Sequence, residues 1–347
     1  MHQKRRHPYT AGNPEIDRKI EELLSEWGVT ADLNRFREMM VTVLKFANDK
    51  PHPADVYQFN IALKEMRYAN RVFQNYGDIK TVSIFGSVRT PESSPAYQAA
   101  YKFAEMMRES GYMIITGGGN GIMGAAQAGA GRERSFALNI SLPFEQEPNE
   151  TIEGDPKLIT FKYFFTRKLN FVKHSHAIAL FPGGFGTMDE CFETLTLIQN
   201  GKATPTPIVM VDEPNGHYWK SWERYMREYL LGNGLIAASD FHLFKITDNL
   251  EEARNEILKF YHNFHSYRYI GDLCVIRVHR AFEDDVLKKL SEEFADILTD
   301  KNGFEIRTAL PAEINEPEIA HLPRLCGYFN KHNFGRLRQL IDRINEF

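Results

Sequence analysis

The segment "PGGFGTMDE", residues 182–190, sets Gly183, Gly184, Gly186 and Thr187 directly ahead of two carboxylates, Asp189 and Glu190. Glycines at a strand-to-helix junction let the backbone approach a ligand closely, and the following helix presents unpaired N–H groups and the positive end of its dipole. Such a turn cradles phosphate. A second run, "GGGNGIMG", brings Gly117, Gly118, Gly119, Gly121 and Gly124 into the same context, and Gly86-Ser87 follow a third apolar run. Two cradles suggest a nucleotide or sugar phosphate held across a crevice. Neither contains the lysine followed by Ser or Thr of an ATPase loop, so triphosphate hydrolysis is not expected. Ser87 has two readings, a bond to phosphate or ribose and a cap on the next turn.

Two acids beside a phosphate cradle repel the phosphate unless they face another part of the ligand, and a carboxylate directed at a sugar meets both demands. The same residues also spell a capping box from Thr187 to Glu190, which would make Glu190 structural. Arg167 and Lys168 fall in the first turn of an expected helix, where the dipole disfavours cations by a few tenths to about 1 kcal/mol. That placement points to an anion nearby, either a bound ligand or Asp155 and Glu153 of the preceding loop. Of the two, arginine clamps phosphate or carboxylate better, through its planar and permanently charged fork.

His174 and His176 read as helix-terminal cations or surface residues ahead of metal ligands, and Cys191 as a small buried side chain. Gly119, Gly121 and Gly124 match G-x-G-x-x-G, and Glu145 stands about 20 residues beyond, where a dinucleotide site places a ribose-binding acid. A nicotinamide cofactor, however, leaves the paired acid unexplained.

The elements that must position these residues are legible from periodicity. Short apolar runs, "TVSIF", "YMIIT", "FALNISL", "AIALF", "PIVMV" and "FKIT", alternate with helical stretches from about residue 78 to 265. This alternation predicts an α/β domain with a doubly wound, Rossmann-like parallel sheet covered on both faces. Residues 1–77 read as a helical segment behind a solvated terminus, "MHQKRRHPYT". Residues 266–347 read as a small α+β appendage with strands at "DLCVIRV" and "FEIRTAL" and helices at "EDDVLKKLSEEFADILTD" and "FGRLRQLIDRINEF". The connection "LPFEQEPNETIEGDPK" is long and acidic, as ligand-site loops often are.

With 347 residues, 43% hydrophobic, 25% charged and a net charge of −4, the chain offers no electrostatic case for a nucleic-acid partner. No run approaches the roughly 18 apolar residues of a membrane span, so no membrane partner is expected either. Three widely spaced cysteines fit a reducing compartment, with the cytoplasm as the expected location.

The ordered set "GGGNGIMG", "FFTRK" and "PGGFGTMDE" resembles the LONELY GUY family of nucleoside 5′-monophosphate phosphoribohydrolases, often labelled lysine decarboxylases. The match covers about residues 80–215 of this chain, and the added terminal segments look like those of the long bacterial members. The resemblance implies hydrolysis of the N-glycosidic bond of AMP-like nucleotides, cytokinin riboside 5′-monophosphates included, to free base and ribose 5-phosphate. It implies catalytic roles for Arg167 and Glu190, and substrate binding by Lys168, Gly183, Gly184, Gly186, Thr187 and Thr196. It also implies at least a homodimer. Asp189 stands where the family usually has glutamate, and phenylalanines precede Arg167 where Met-His is frequent, which leaves base preference open. Neither a metal nor an organic cofactor is expected, and no lysine is placed for a pyridoxal Schiff base. The alternative is a non-catalytic nucleotide or molybdenum-cofactor carrier, since similar loops bind without reacting.

Overall fold

The structure is a computed structural model that describes residues 9–142, 147–300 and 302–347. The basic start of the chain, residues 1–8, and residues 143–146 of the long acidic connection lie outside the described residues, and Glu145 with them. By compactness the chain divides into residues 1–64 and 65–347. The first unit holds α1 (Pro14–Glu26), α2 (Leu33–Asn48) and the start of α3 (Pro53–Gln74). Asn13 caps α1, its side-chain oxygen accepting the Glu15 N–H at 3.0 Å, and Pro14 fits the first turn where no N–H is needed. Ile20, Leu24 and Val41 form a small apolar centre there.

Residue 77, where the sequence suggests a boundary, follows α3, whereas compactness divides within that helix. The reason is burial: Ala69 and Phe73, on the second half of α3, belong to the core of the parallel sheet.

In the second unit the chain runs β1 (Thr81–Phe85), α4 (Pro95–Glu109), β2 (Met113–Thr116), α5 (Ile122–Ala130), β3 (Ser135–Ile140), β4 (Leu158–Phe161), α6 (Phe164–His174), β5 (Ala177–Leu180), α7 (Phe185–Gln199), β6 (Ile208–Val211), α8 (Tyr218–Tyr225), β7 (Phe244–Thr247) and α9 (Leu250–Phe260). Among the described residues these seven strands form one parallel sheet in the order β4-β3-β2-β1-β5-β6-β7. Strand alternation sends Val82, Ile84 and Val209 against α4, α5 and α9. Phe85, Leu180 and Met210 point the other way, against α6, α7 and α8. Both faces are therefore covered, which is why the strands read as continuous apolar runs.

β4 is a seventh strand that periodicity did not reveal. It is four residues long, sits at the sheet edge and follows a polar connection.

The remainder forms β8 (Phe264–Ile270), β9 (Leu273–Val278), α10 (Asp284–Glu293), β10 (Glu305–Arg307), β11 (Arg324–Gly327) and α11 (Phe334–Ile344). The four strands pair antiparallel in the order β10-β11-β9-β8. Leu337, Leu340, Ile341 and Ile344 of α11 close its core. β8 and β11 are additions to the two strands expected from sequence. Among the described residues no helix is long and apolar enough to cross a membrane.

Candidate active site

The strand order reverses between β1 and β5, and an open parallel sheet leaves a crevice beyond the carboxyl ends of its strands at such a point. The three glycine-marked turns follow β2, β1 and β5, which are neighbours. Ser87 ties them together: its N–H donates to the Pro182 carbonyl at 3.1 Å and its carbonyl accepts the Ile122 N–H at 3.0 Å. Gly121, at φ +63°, leaves no room for a side chain, because a Cβ there would stand 2.3 Å from the Ser87 carbonyl oxygen. Around this junction lies a cavity of about 810 Å³ whose lining includes Gly86, Ser87, Gly117, Gly183, Gly184, Gly186, Thr187, Arg167 and Glu190.

Helix α7 begins at Phe185 with Gly184 as its N-cap, and no side chain caps it. The capping box expected from Thr187 to Glu190 therefore does not form. The turn before the helix is already fixed, because the Tyr218 hydroxyl donates to the Gly183 carbonyl at 2.5 Å and Ser87 occupies the Pro182 carbonyl. The chain enters the helix two residues before the expected cap. Thr187 then lies in the first turn, whose N–H groups have no side-chain partner at the cavity wall, and Glu190 lies in the second.

Glu190 is only 5% exposed yet lines the cavity. Burial pushes its carboxyl up to about 7, against the pull of the Arg167 and Lys168 charges. Arg167 is held through Nε, which donates to the Leu138 carbonyl at 2.7 Å, and its guanidinium carbon lies 5.1 Å from the centre of the Phe171 ring. Burial pulls its pKa down, with Glu190 and Asp189 acting in the opposite direction. Among the described residues no carboxylate forms an ion pair with Arg167 within 4 Å. A charge-bearing fork and a buried acid thus share one cavity without neutralising each other in a closed pair.

Several expected residues lie elsewhere. Lys168 Nζ sits 2.7 Å from both Asp189 Oδ1 and Glu193 Oε2, so it braces α6 against α7 and does not line the cavity. Asp155 pairs with Lys157 at 2.8 Å and Arg132 at 3.2 Å, which leaves it no part in holding Arg167. Thr196 borders a separate cavity of about 130 Å³ among Phe192, Leu195 and Phe241.

Of the run 117–124, Gly117 and Met123 line the cavity. Gly118 and Gly119 build the loop, their carbonyls accepting from the Asn149 side chain at 3.0 and 2.9 Å, while Gly121 and Gly124 seat α5 against it. Ser87 Oγ accepts the Arg89 N–H at 3.1 Å, so this hydroxyl caps its own turn while lining the cavity.

His174 and His176 differ from the expected cations. His174 stacks on Phe73 at 3.8 Å, and His176 Nδ1 accepts the Thr81 N–H at 3.1 Å. Burial pushes both down to about 4, so each is neutral at pH 7. The Cys191 thiol is buried and pushed up to about 12.

Arg89, Asn139, Phe185 and Tyr218 also line the cavity and were not singled out from sequence, and so does Phe164, one of the phenylalanines noted ahead of Arg167. Phe185 had a local signal, an aromatic residue inside a glycine turn, and it is 96% exposed at the rim. Arg89 follows a strand end by four residues and could have been found by scanning such turns for cations. Tyr218 had none, since it reaches Gly183 from 35 residues away.

Residues 123–257 match the family model described as possible lysine decarboxylase. A probable cytokinin riboside 5′-monophosphate phosphoribohydrolase of Oryza sativa subsp. japonica is 25% identical over 51% of this chain and 75% of its own. A cytokinin riboside 5′-monophosphate phosphoribohydrolase of Mycobacterium tuberculosis is 27% identical over 50% of this chain and 90% of its own. Among solved structures, the molybdenum cofactor binding protein from the phototrophic bacterium Rippkaea orientalis aligns with 52% of this chain and 94% of its own at 20% identity and a TM-score of 0.36.

Proposed function

We propose that this chain, which resembles the LONELY GUY family over residues 123–257, hydrolyses the N-glycosidic bond of nucleoside 5′-monophosphates to free base and ribose 5-phosphate. The observation that carries the reading is Glu190: a nearly buried carboxyl, lifted to about 7, facing the same cavity as the Arg167 fork and an uncapped glycine turn. Holding that carboxyl ionised above pH 7 costs on the order of 3 kcal/mol.

Breaking a ribosidic C–N bond sends its electron pair to the base and builds positive charge on the sugar. A carboxylate fixed near the anomeric carbon stabilises that charge more in the transition state than in the ground state. At an effective dielectric near 20, opposite charges about 4 Å apart attract by roughly 4 kcal/mol, of order 10³ in rate. Glu190 also receives the proton of the water that adds to the anomeric carbon and returns it to solvent, while the departing base takes up a proton from solvent, so the products are the neutral base and ribose 5-phosphate. The uncapped N–H groups of α7, with Gly86, Ser87 and Gly117, hold the phosphate away from the reacting centre and so orient the ribose. Exposed Phe185 and Phe164 offer faces on which a base stacks. Arg167 supports the substrate anion or the departing base. Lys168 serves as a strut between α6 and α7, and Thr196 has no part in this reading. The step requires neither metal nor organic cofactor.

Incubation with AMP, GMP, CMP, UMP and isopentenyladenosine monophosphate, followed by chromatography for free base and ribose 5-phosphate, tests the proposal. Saturable binding of intact nucleotide without any cleavage would establish the carrier reading instead.

The pH dependence follows from the same carboxyl. Ionised Glu190 is the working form, so kcat/KM is expected to rise about tenfold per pH unit up to about 7 and then level off. This limb lies about one unit above ionisation of a phosphate monoester near 6. A profile that falls across the same range would assign Glu190 the opposite, proton-donating role.

Gly117→Ala reports on the arginine. An added Cβ would stand 2.6 Å from Arg167 Nη2 and 2.8 Å from the Met123 sulfur, both ends of flexible side chains. The guanidinium is expected to move aside, lowering kcat/KM by about tenfold while denaturant stability changes by less than about 1 kcal/mol. Unchanged kinetics would show that the position of the fork is not used.

A further inference from the structure

At the opposite edge of the parallel sheet lies a second cavity, of about 700 Å³, that shares no lining residue with the first. Its walls come from residues that precede strands, Lys80 before β1 and His176 before β5, from the carboxyl-terminal halves of α6 and α7, and from β8 and the end of β9. The charged and titratable nitrogens in it are those of Lys80, Lys173, Lys202, His176, His265 and His279, and its lining contains no aspartate or glutamate. In a chain with 46 acids and a net charge of −4, such a one-sided wall is unusual. Among the described residues no carboxylate lies within 4 Å of any of the three lysines. Lys80 instead rests over the Tyr261 ring at 3.9 Å, and Lys173 meets the Asn70 side chain.

We propose that this cavity is a second ligand site, built for a small phosphorylated anion. Like charges gathered in one concavity raise the local concentration of anions and gain most from a ligand that carries several charges. The donor set selects phosphate over carboxylate. The planar fork of arginine grips carboxylate and phosphate alike and none lines this cavity, so its lysine point charges select by charge density, which favours a polyphosphate over a carboxylate. Lysine ammoniums suit tetrahedral phosphate, and the Thr204 hydroxyl adds a donor, whereas those of Ser175 and Thr206 already donate to the Phe171 and Thr204 carbonyls and Ser266 Oγ is engaged by His265 and Arg277. His176 has its Nδ1 engaged by the Thr81 N–H, so its Nε2 carries the hydrogen and is a further donor. The charged forms of the groups in this wall are disfavoured. Burial lowers the Lys80 pKa. His265 is held down by burial and by His279, Arg277, Lys80 and His321, and His279 by burial and by Lys80, His262, His321 and Arg280. A bound polyanion would offset these shifts by attracting the charged forms. It would also touch the helices whose opposite halves carry Arg167 and Glu190.

Calorimetric titration of the full chain with inorganic tripolyphosphate tests the site. Saturable binding is expected, weakened at least about tenfold in Lys173→Gln/Lys202→Gln, since each charge-assisted bond contributes about that factor or more. Affinity is expected to be unchanged in Lys288→Gln/Lys289→Gln on α10, which removes the same bulk charge elsewhere, and in Arg167→Gln in the first cavity. No saturable binding, equal affinity in the Lys173/Lys202 variant, loss in the Arg167 variant, or equally tight binding of citrate would each overturn the proposal. The measurement needs no turnover, so a protein that binds tripolyphosphate here yet cleaves no nucleotide would sink the hydrolase reading and leave this one standing.

Discussion

Glu190→Gln is expected to lower turnover of a nucleoside monophosphate by about 10² or more while affinity for ribose 5-phosphate stays within about threefold. Glutamine keeps the shape and the burial but cannot carry the charge that the proposed transition state calls for. Stability should move in the other direction. Because burial lifts the folded-state pKa from the ordinary 4.5 to about 7, the favourable contribution of the group is complete below about 4.5 and disappears as pH rises through about 7. Above that pH the parent protein holds a buried carboxylate at a cost on the order of 3 kcal/mol. The glutamine variant escapes it, so in urea at pH 8 it should be the more stable protein, and at pH 4 the difference should vanish. A structural residue predicts the reverse, a destabilised variant with normal turnover. Kinetics and urea melts on the same two proteins distinguish the cases, and normal turnover in Glu190→Gln would end the catalytic proposal.

The features that sequence made visible are those written in local pattern. The six runs of apolar residues became six strands of the parallel sheet because both faces are covered, so neither register nor neighbour is needed to recognise them. The glycines after β1, β2 and β5 were visible for a related reason: a strand end in a parallel sheet already fixes which edge its turn occupies.

What escaped was set by distant contacts. β4 is a short edge strand after a polar loop, and β8, "FHSYRYI", mixes polar with aromatic residues at positions that only the pairing with β9 explains. β11 begins with Arg324, fully buried through its bond to Glu313, where a sequence reading expects a charged residue at the surface. The Thr187 to Glu190 capping box was sound local grammar overruled by Tyr218 and Ser87, which settle the turn from elsewhere. Lys168 and Arg167, adjacent in sequence, part company because successive helical positions point about 100° apart. One faces α7 carboxylates and the other the crevice.

That separation makes Arg167 the sharper test of the site. Arg167→Lys is expected to lower kcat/KM by 10² to 10³, roughly the loss of a preorganised donor at a developing charge. The arginine uses Nε to hold the Leu138 carbonyl and so keeps its terminal nitrogens for the ligand. Lysine has a single nitrogen, which can take one of these tasks but not both. Charge and geometry can then be separated by pH. The Arg167 charge favours the ionised form of Glu190, so Arg167→Gln should move the acid limb of kcat/KM above 7, whereas Arg167→Lys, which keeps the charge, should leave it nearly in place. Activity low in both variants with the limb displaced in only one would establish two roles for the residue, anchoring a substrate group and holding the neighbouring carboxyl ionised. An acid limb at the same pH in Arg167→Gln as in the parent would mean that the two side chains do not sense each other across the cavity, and the shared site proposed for them would fall.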